Sequence, residues 1–477
     1  MTYINNELTV FSHIYLLLIL AYAILIMSSY LMLAQISTRE LRKYLKKNSF
    51  IDYDVLLTSE FAPSLSLIAP AYNEGFTIEE NVKSLLSLNY SNYEVIVVND
   101  GSKDNSMEIL IKTYDLVLTN IEVHLKIETK KIKGLYTSRN AAYKKLIVVD
   151  KENGGKADAL NVGLNIAQNR YIVCIDVDCI LDKDSLLKLA KPFLESYGKR
   201  VIATGGVVRI ANQCVIKNGR LVEVNIPDAL LPRIQVLEYL RAFLLGRMAW
   251  GKLDGLLLIS GAFGAFDKEI ALLAGGYSTK TVGEDMELVV RMRRYMLENK
   301  IPYTVCYIPD PLCWTEAPED FKIFKKQRSR WMRGTIETLS IHKKMFLNPK
   351  YKLLGMLSVP YWTLFEFLAP AIEFIGLVIT VIFLIFGLLN WHFFLLLLLF
   401  VYFFAVLFSV IALYSEERTY HKYPKQADFF KLLLAAFIEP IYFHPLTVYA
   451  SLIGYKEKIM GTKGWGEMTR KGFTKKP

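Results

Sequence analysis

Residues 14–34 (IYLLLILAYAILIMSSYLMLA) form a run of 21 residues without one charge. No other feature constrains the chain more. As a helix the run is long enough to cross about 30 Å of hydrocarbon. No Lys or Arg precedes it, and a basic stretch follows it. A cleaved signal peptide has the opposite order of charge and a shorter apolar core. The pattern predicts a signal anchor that leaves residue 37 onward on the inner side of a membrane. Three further apolar runs lie toward the other end: about 357–389, interrupted by Glu366, Pro370 and Glu373; 391–414; and 429–453, which carries Glu439, Pro440 and Pro445. One early and three late crossings would put the tail outside. The tail's charge argues for the inside. Either 353–389 crosses twice or the proline-broken 429–453 run is re-entrant.

The charge is distributed in a way that fits this membrane reading. Lys and Arg number 57 against 46 Asp and Glu, for a net charge of +11. Residues 37–50 hold five basic groups against one acidic, 319–352 ten against three, and 456–477 seven against two. All three stretches adjoin apolar runs, so they read as flanks facing anionic lipid rather than as a nucleic-acid surface. With 53% hydrophobic residues, disorder and collagen-like repeats are excluded. The five cysteines (Cys174, Cys179, Cys214, Cys306, Cys313) are odd in number and lack metal-site spacing. They read as reduced cytosolic thiols with no metal role.

Between the apolar runs, residues 51–315 have the character of a soluble α/β domain. LSLIAP (65–70), EVIVVND (94–100), RYIVCIDVD (170–178) and KRVIATGGVV (199–208) are strand-like, and 78–88 and 155–168 are amphipathic. Alternating strands and helices predict a mostly parallel sheet, with ligands beyond the carboxyl ends of its strands. Asn218-Gly219 reads as a hairpin turn within an insertion.

Several motifs stand where that site should be. PAYNE (70–74) and NDGS (99–102) each close a strand. They are either loop chemistry or, through Asp100, an acceptor for a nucleobase or ribose. ENGGKADALNVGL (152–164) brings two glycines and Lys156 to a helix start, which is either a turn or an anion cradle. Asp176-Val177-Asp178 closes a strand; if it stays extended, both carboxylates share a face. They are then either solvated or bridged by a hard divalent ion completed by substrate phosphates. Gly283-Glu284-Asp285 precedes a helix over 286–298, so Asp285 is a helix cap or a general base. KKQRSRWMRG contains Gln327, Arg330 and Trp331 in a basic amphipathic stretch, 321–345, suited to a membrane surface.

Taken in order, PAYNE, NDGS, GGK, DxD, SGAFGAF (260–266), GED and QxxRW resemble the processive, membrane-embedded family-2 glycosyltransferases. That group includes the cellulose, poly-N-acetylglucosamine and hyaluronan synthases. The resemblance covers about residues 60–335 and the layout of the flanking membrane segments. It implies a GT-A (Rossmann-like) domain inserted between transmembrane helices, with a nucleotide-diphosphate sugar donor of the UDP type. It also implies Mg²⁺ or Mn²⁺ and inversion at the anomeric carbon. Ala71, Tyr72, Glu74 and Asp100 match positions that hold base and ribose. Lys156 and Asp176 match diphosphate contacts, and Asp178, with Asp176, the metal site. Asp285, with Glu284 beside it, matches the catalytic base. Gln327, Arg330 and Trp331 match the motif for the diphosphate and the acceptor sugar. SGAFGAF matches an acceptor-side loop with Phe263 and Phe266 as stacking residues. The family usually has Thr-Glu-Asp where this chain has Gly283-Glu284-Asp285.

The organisation this implies is an anchor and linker over 1–50, a GT-A domain over 51–315, and interface helices over 316–356. A transmembrane bundle and basic tail follow over 357–477. The expected partners are a nucleotide sugar, a polysaccharide or lipid acceptor and the lipid bilayer, with accessory subunits left open and no nucleic acid. The expected protein is an integral enzyme of a bacterial inner membrane with a cytosolic catalytic domain. It extends a β-linked polysaccharide coupled to export, or alternatively adds one sugar to a lipid.

Overall fold

The computed structural model describes residues 2–462, except 52, 60, 120–123, 197 and 218. The tail beyond 462, and Asn218 of the expected hairpin turn, lie outside the described residues. Among the described residues the strands are β1 (Leu65–Ala71), β2 (Tyr93–Asn99), β3 (Leu116–Thr119), β4 (Ile132–Ser138), β5 (Leu146–Lys151), β6 (Tyr171–Ile175), β7 (Ile180–Leu181), β8 (Arg200–Ile210), β9 (Val215–Lys217), β10 (Arg220–Glu223), β11 (Phe263–Asp267) and β12 (Tyr303–Thr315). Ten of them make one sheet in the order β3-β4-β5-β2-β1-β6-β11-β8-β12-β7, and β9 and β10 pair separately.

The strands are apolar on both faces because both faces are covered. Leu65, Leu67, Val95, Val97, Val173 and Ile175 face one core layer. Ile68, Ile96, Val98 and Ile172 face the other, with the helix Lys156–Ile166. The expected strands and helices form, but the sheet is mixed rather than mostly parallel. β1 pairs in parallel with β2 and β6. β11 runs antiparallel between β6 and β8, and β4 antiparallel beside β5. Apolar periodicity marks a strand without giving its direction. That direction follows from connections the local pattern does not encode.

Four apolar segments stand against this domain. Ser12–Asn48, Trp391–Thr419 and Gln426–Ile459 are each long and apolar enough to cross a membrane. Leu354–Phe367 and Ala369–Ile385 form a pair bent by 41°. Pro370 sits in the first turn of the second helix and cannot donate to the carbonyl four residues earlier, which breaks the ladder there. The protein is therefore an integral membrane protein. Gln426–Ile459 is one continuous helix through Pro440 and Pro445, not the broken re-entrant segment that its prolines suggest.

Buried ion pairs fix these helices to the sheet. Arg209 of β8 donates to Glu416 of Trp391–Thr419, with side chains 1% and 2% exposed. Tyr44, near the end of the first helix, donates to Asp310 of β12, which also takes Lys188 at 2.9 Å. Removing one partner of a buried pair strands the other charge, at a cost of about 3–5 kcal/mol. Glu416→Ala should therefore lower the unfolding midpoint in detergent markedly. Arg209→Met combined with Glu416→Leu should recover most of that loss, as read by thermal unfolding of the purified protein.

Candidate active site

Parallel pairing of β1 with β2 sets Ala71 opposite Asn99, so the loops after the two strands lie side by side. Their backbones interlock. Asn73 N donates to Ser102 Oγ at 2.9 Å, Lys103 N to Asn73 Oδ1 at 2.8 Å, and Gly75 N to Asp104 Oδ2 at 2.9 Å. Ala71 is buried and contributes backbone, with its carbonyl taking Asp100 N at 2.9 Å. Tyr72 is exposed at the rim, and Thr77 Oγ1 donates to Glu74 at 3.1 Å.

Asp100 departs from expectation. It is 3% exposed, and its carboxylate accepts from Gly154 N at 2.9 Å, Gly155 N at 2.8 Å and Lys151 Nζ. Lys151 in turn pairs with Asp158 at 2.8 Å. The aspartate thus shapes the glycine loop instead of presenting itself to a base. The two glycine N–H groups, expected to cradle an anion, are already satisfied by it. Gly155 holds φ +86°, a left-handed conformation that suits glycine. The loop delivers Lys156 to the site. The sequence pattern gave no sign of Lys151 or Asp158, which act through the fold rather than through a motif.

Lys156 is the hub. Its Nζ pairs with Asp176 and stands 3.8 Å from Glu284 Oε1. Burial opposes its charge, but Asp176 and Glu284 more than offset this and hold it above the usual lysine range. A Cβ placed on Gly261 would lie 3.3 Å from Lys156 Nζ and 3.1 Å from Asp285 Oδ2, so the turn before β11 closes the same space. Gly261 N donates to Asp285 Oδ2 at 2.9 Å, and Met286 N to Oδ1 at 2.8 Å. Arg330 is half-buried; its partial burial lowers its pKa against the pull of Glu284, Asp176 and Asp285. Burial pushes Glu284 up to about 7, with Lys156 pulling it down and Asp285 pushing it up.

Asp176 and Asp178 do not lie on an extended strand. β6 ends at Ile175, and Cys179 N donates to Asp176 O at 2.9 Å, which folds the three residues into a turn. Two carboxylates therefore sit on one tight loop beside Lys156. Among the described residues no group of three or more His, Cys, Asp or Glu could hold a metal ion. The donor set fits a Mg²⁺-type ion held by one or two carboxylates and completed by substrate phosphates.

Phe263 and Phe266 are corrected by the structure. They lie in β11, 0% and 2% exposed, in the two opposite core layers. An apolar side chain between paired strands packs the core and offers no ring to a sugar. Trp331, 41% exposed, does offer one. The Arg328 guanidinium stacks 4.1 Å from its ring and is clamped by Glu238 at 2.8 and 2.6 Å. Gln327 projects from the same helix, Phe321–Ile341. Arg328, overlooked inside QRSRW, thus sets the plane of the tryptophan.

The Gly283 of the GED loop, where threonine is usual, has a packing reason. A Cβ there would lie 2.7 Å from Gly334 Cα, and one on Gly334 would lie 2.8 Å from Gly283 Cα. Backbone meets backbone, so the base loop seats directly on the helix that carries Arg330 and Trp331. Val282 N also donates to Glu337 of that helix at 2.9 Å.

Comparison with known proteins follows the same lines. Residues 66–217 match the model of glycosyl transferase family 2, and residues 171–406 that of glycosyl transferase family group 2. The chain is 27% identical over 301 residues to a poly-beta-1,6-N-acetyl-D-glucosamine synthase of Staphylococcus epidermidis, covering 62% of this chain and 60% of the relative. It is 28% identical over 307 residues to the synthase of that name from Staphylococcus aureus strain COL, covering 63% and 60%. The match thus spans about three fifths of the length of these relatives. A mannosyltransferase from Pyrobaculum calidifontis, solved with GDP-Man and Mn²⁺, superposes with a TM-score of 0.52 at 18% identity. It covers 89% of this chain and 99% of its own, a likeness of fold.

Two outcomes follow from this geometry. Gly334→Ala should reduce transferase turnover about 10²-fold by displacing the base loop. The unfolding midpoint should shift far less than for a core cavity, with steady-state kinetics and thermal unfolding read together. Glu284 protonates more readily in the folded chain than in the unfolded one, so its contribution to stability is full at low pH and is lost as pH rises to about 7. In the absence of donor, Glu284→Gln should flatten that part of the stability–pH curve.

Proposed function

The chain belongs to the family-2 glycosyltransferases, and on that premise we propose that it is an inverting enzyme that extends a β-linked polysaccharide from a UDP-type sugar donor. The observation that carries the reading is the convergence of Lys156, Asp176, Glu284, Asp285 and Arg330 on one small space. Two half-buried cations suit a diphosphate, and a carboxylate held by two backbone N–H groups suits a positioned base.

In this reading Ala71, Tyr72 and Glu74 line the nucleoside end. Lys156 and Arg330 take the negative charge that develops on the departing diphosphate, and Gln327 holds it beside them. Asp285 removes the proton from the acceptor hydroxyl as that oxygen attacks the anomeric carbon and the bond to the diphosphate breaks. Glu284, buried beside Lys156, tunes the lysine's charge. The acceptor sugar stacks on Trp331, whose ring Arg328 holds in place. Asp176 and Asp178 would hold a divalent ion, and such an ion supplies Lewis-acid neutralisation of the diphosphate. The basic flanks on the domain side support a cytosolic catalytic domain at a bacterial inner membrane, with the polymer leaving between the apolar helices.

A screen of nucleotide sugars, scoring nucleoside diphosphate released by the detergent-purified protein and the length of the labelled product, tests this reading. One donor giving a polymer is expected; a glycolipid carrying a single sugar contradicts it. Asp285→Asn should lower turnover about 10²- to 10⁴-fold. Donor affinity should stay near wild type, because the base acts on the acceptor. A variant with undiminished turnover removes Asp285 as the base.

A further inference from the structure

Gln426–Ile459 passes for a membrane span by length and hydropathy. At 1.5 Å per residue its 34 residues reach about 51 Å. A crossing helix of that length carries its ends to opposite sides of the bilayer. Here the first end meets the β9–β10 insertion of the sheet domain, and the far end meets the helix Phe321–Ile341 that carries Arg330 and Trp331. At the start, Lys425 Nζ bonds Glu223 and Asn225 at 2.8 Å each, and Lys431 pairs with Asp228 at 3.2 Å. At the far end, Lys458 pairs with Glu337 at 2.9 Å, Ser329 donates to Glu457, and Arg333 Nη1 donates to Thr462 O at 3.0 Å. The middle meets the spans from one side, with Ser409 donating to Glu439 at 2.9 Å and His444 pairing with Glu373 at 2.7 Å, and helices of the inner side from the other. Arg241 pairs with Glu439, and the Phe443 ring lies 5.2 Å from Phe324.

The two faces of the helix differ in the way this placement requires. Leu432, Ala435, Ala436, Phe443 and Ala450 are buried. Phe430, Leu434, Phe437 and Ile441, at helical spacing on another face, are exposed at 64%, 59%, 42% and 71%. An exposed apolar stripe on a helix with charged, domain-bound ends belongs at a bilayer surface. It also adjoins a span, since Tyr402 donates to Phe437 O at 3.1 Å.

The other apolar helices are arranged differently. Each has one end on the domain and one end away from it. In Ser12–Asn48, Tyr44 reaches Asp310, whereas Tyr15 donates to Gly376 O at 2.7 Å and packs 5.3 Å from Phe383. Trp391–Thr419 reaches Arg209 through Glu416 at its late end. Its early end meets Ala369–Ile385 across the short uncharged connection 386–390.

We infer that Gln426–Ile459 is an in-plane strap laid between the catalytic domain and the lipid surface, so that the described residues cross the bilayer three times and Thr462 stands on the domain's side. This eases the conflict between span count and charge: Lys456 and Lys458, in the last turn of the helix, then lie on the side that basic flanks prefer. The strap also bears on the site, because Glu337 takes both Lys458 and Val282 N of the base loop.

Cysteine labelling tests the placement independently of what is transferred. Phe386→Cys, Thr462→Cys and Lys112→Cys, the last on an exposed helix of the domain, are each expressed in the full chain. Each is treated with a membrane-impermeant maleimide on intact cells and after permeabilisation, against the parent protein's background. Phe386→Cys should react in intact cells, and Thr462→Cys and Lys112→Cys only after permeabilisation. Labelling of Thr462→Cys from outside, or protection of Phe386→Cys, overturns the inference. If a cysteine variant fails to accumulate, a reporter active only in the cytosol, fused after residue 462, gives the same decision by its activity.

Discussion

The site depends on a contact between two backbones. Gly283 and Gly334 approach so closely that a methyl group on either would collide with the other. This contact sets the distance between the loop that carries Asp285 and the helix that carries Arg330 and Trp331. One of these groups is suited to the attacking hydroxyl and the other to the departing diphosphate. A displacement in which both oxygens lie in line with one carbon needs that separation fixed to a fraction of an ångström. The usual threonine would supply a hydroxyl, but its side chain would lift the loop away from the helix.

Charge balance is the second constraint. Asp176, Glu284 and Asp285 crowd one largely buried space, and their mutual repulsion is offset by Lys156 and Arg330. Burial alone would neutralise such groups. Lys156 is kept charged by its neighbours, and the position of its helix is set by Asp100 through the glycine loop. The buried aspartate of NDGS thus acts on the site at one remove. The membrane helices reach the same place from the other side: Glu337 bridges the base loop and the strap, and Glu416 and Glu439 anchor two long helices to Arg209 and Arg241.

Much of this was legible in the residues, and the remainder failed for physical reasons. Strands such as 65–70 and 94–100 declare themselves because both faces are buried and the apolar run is continuous. Strand direction does not declare itself, and β11 runs opposite to its neighbours. SGAFGAF, matched by resemblance to an acceptor-side loop, runs into β11, and its second glycine is there because Ile259 packs close against Gly264, while Gly261 faces Lys156 and Asp285. The reading of Asp176 and Asp178 as one strand face failed because the strand stops one residue earlier. Lys151, Asp158 and Arg328 carry no motif of their own; their roles come from partners distant in the chain. Span counting from hydropathy sees the composition of Gln426–Ile459 but not where its ends are tied.

A single displacement at the anomeric carbon, with Asp285 as base and no nucleophile from the enzyme, is the central chemical claim. The most direct measurement is the anomeric configuration of the newly formed linkage, read by NMR on product made from an α-linked sugar nucleotide. The geometry predicts a β linkage; an α linkage would require a second displacement and would contradict the assignment.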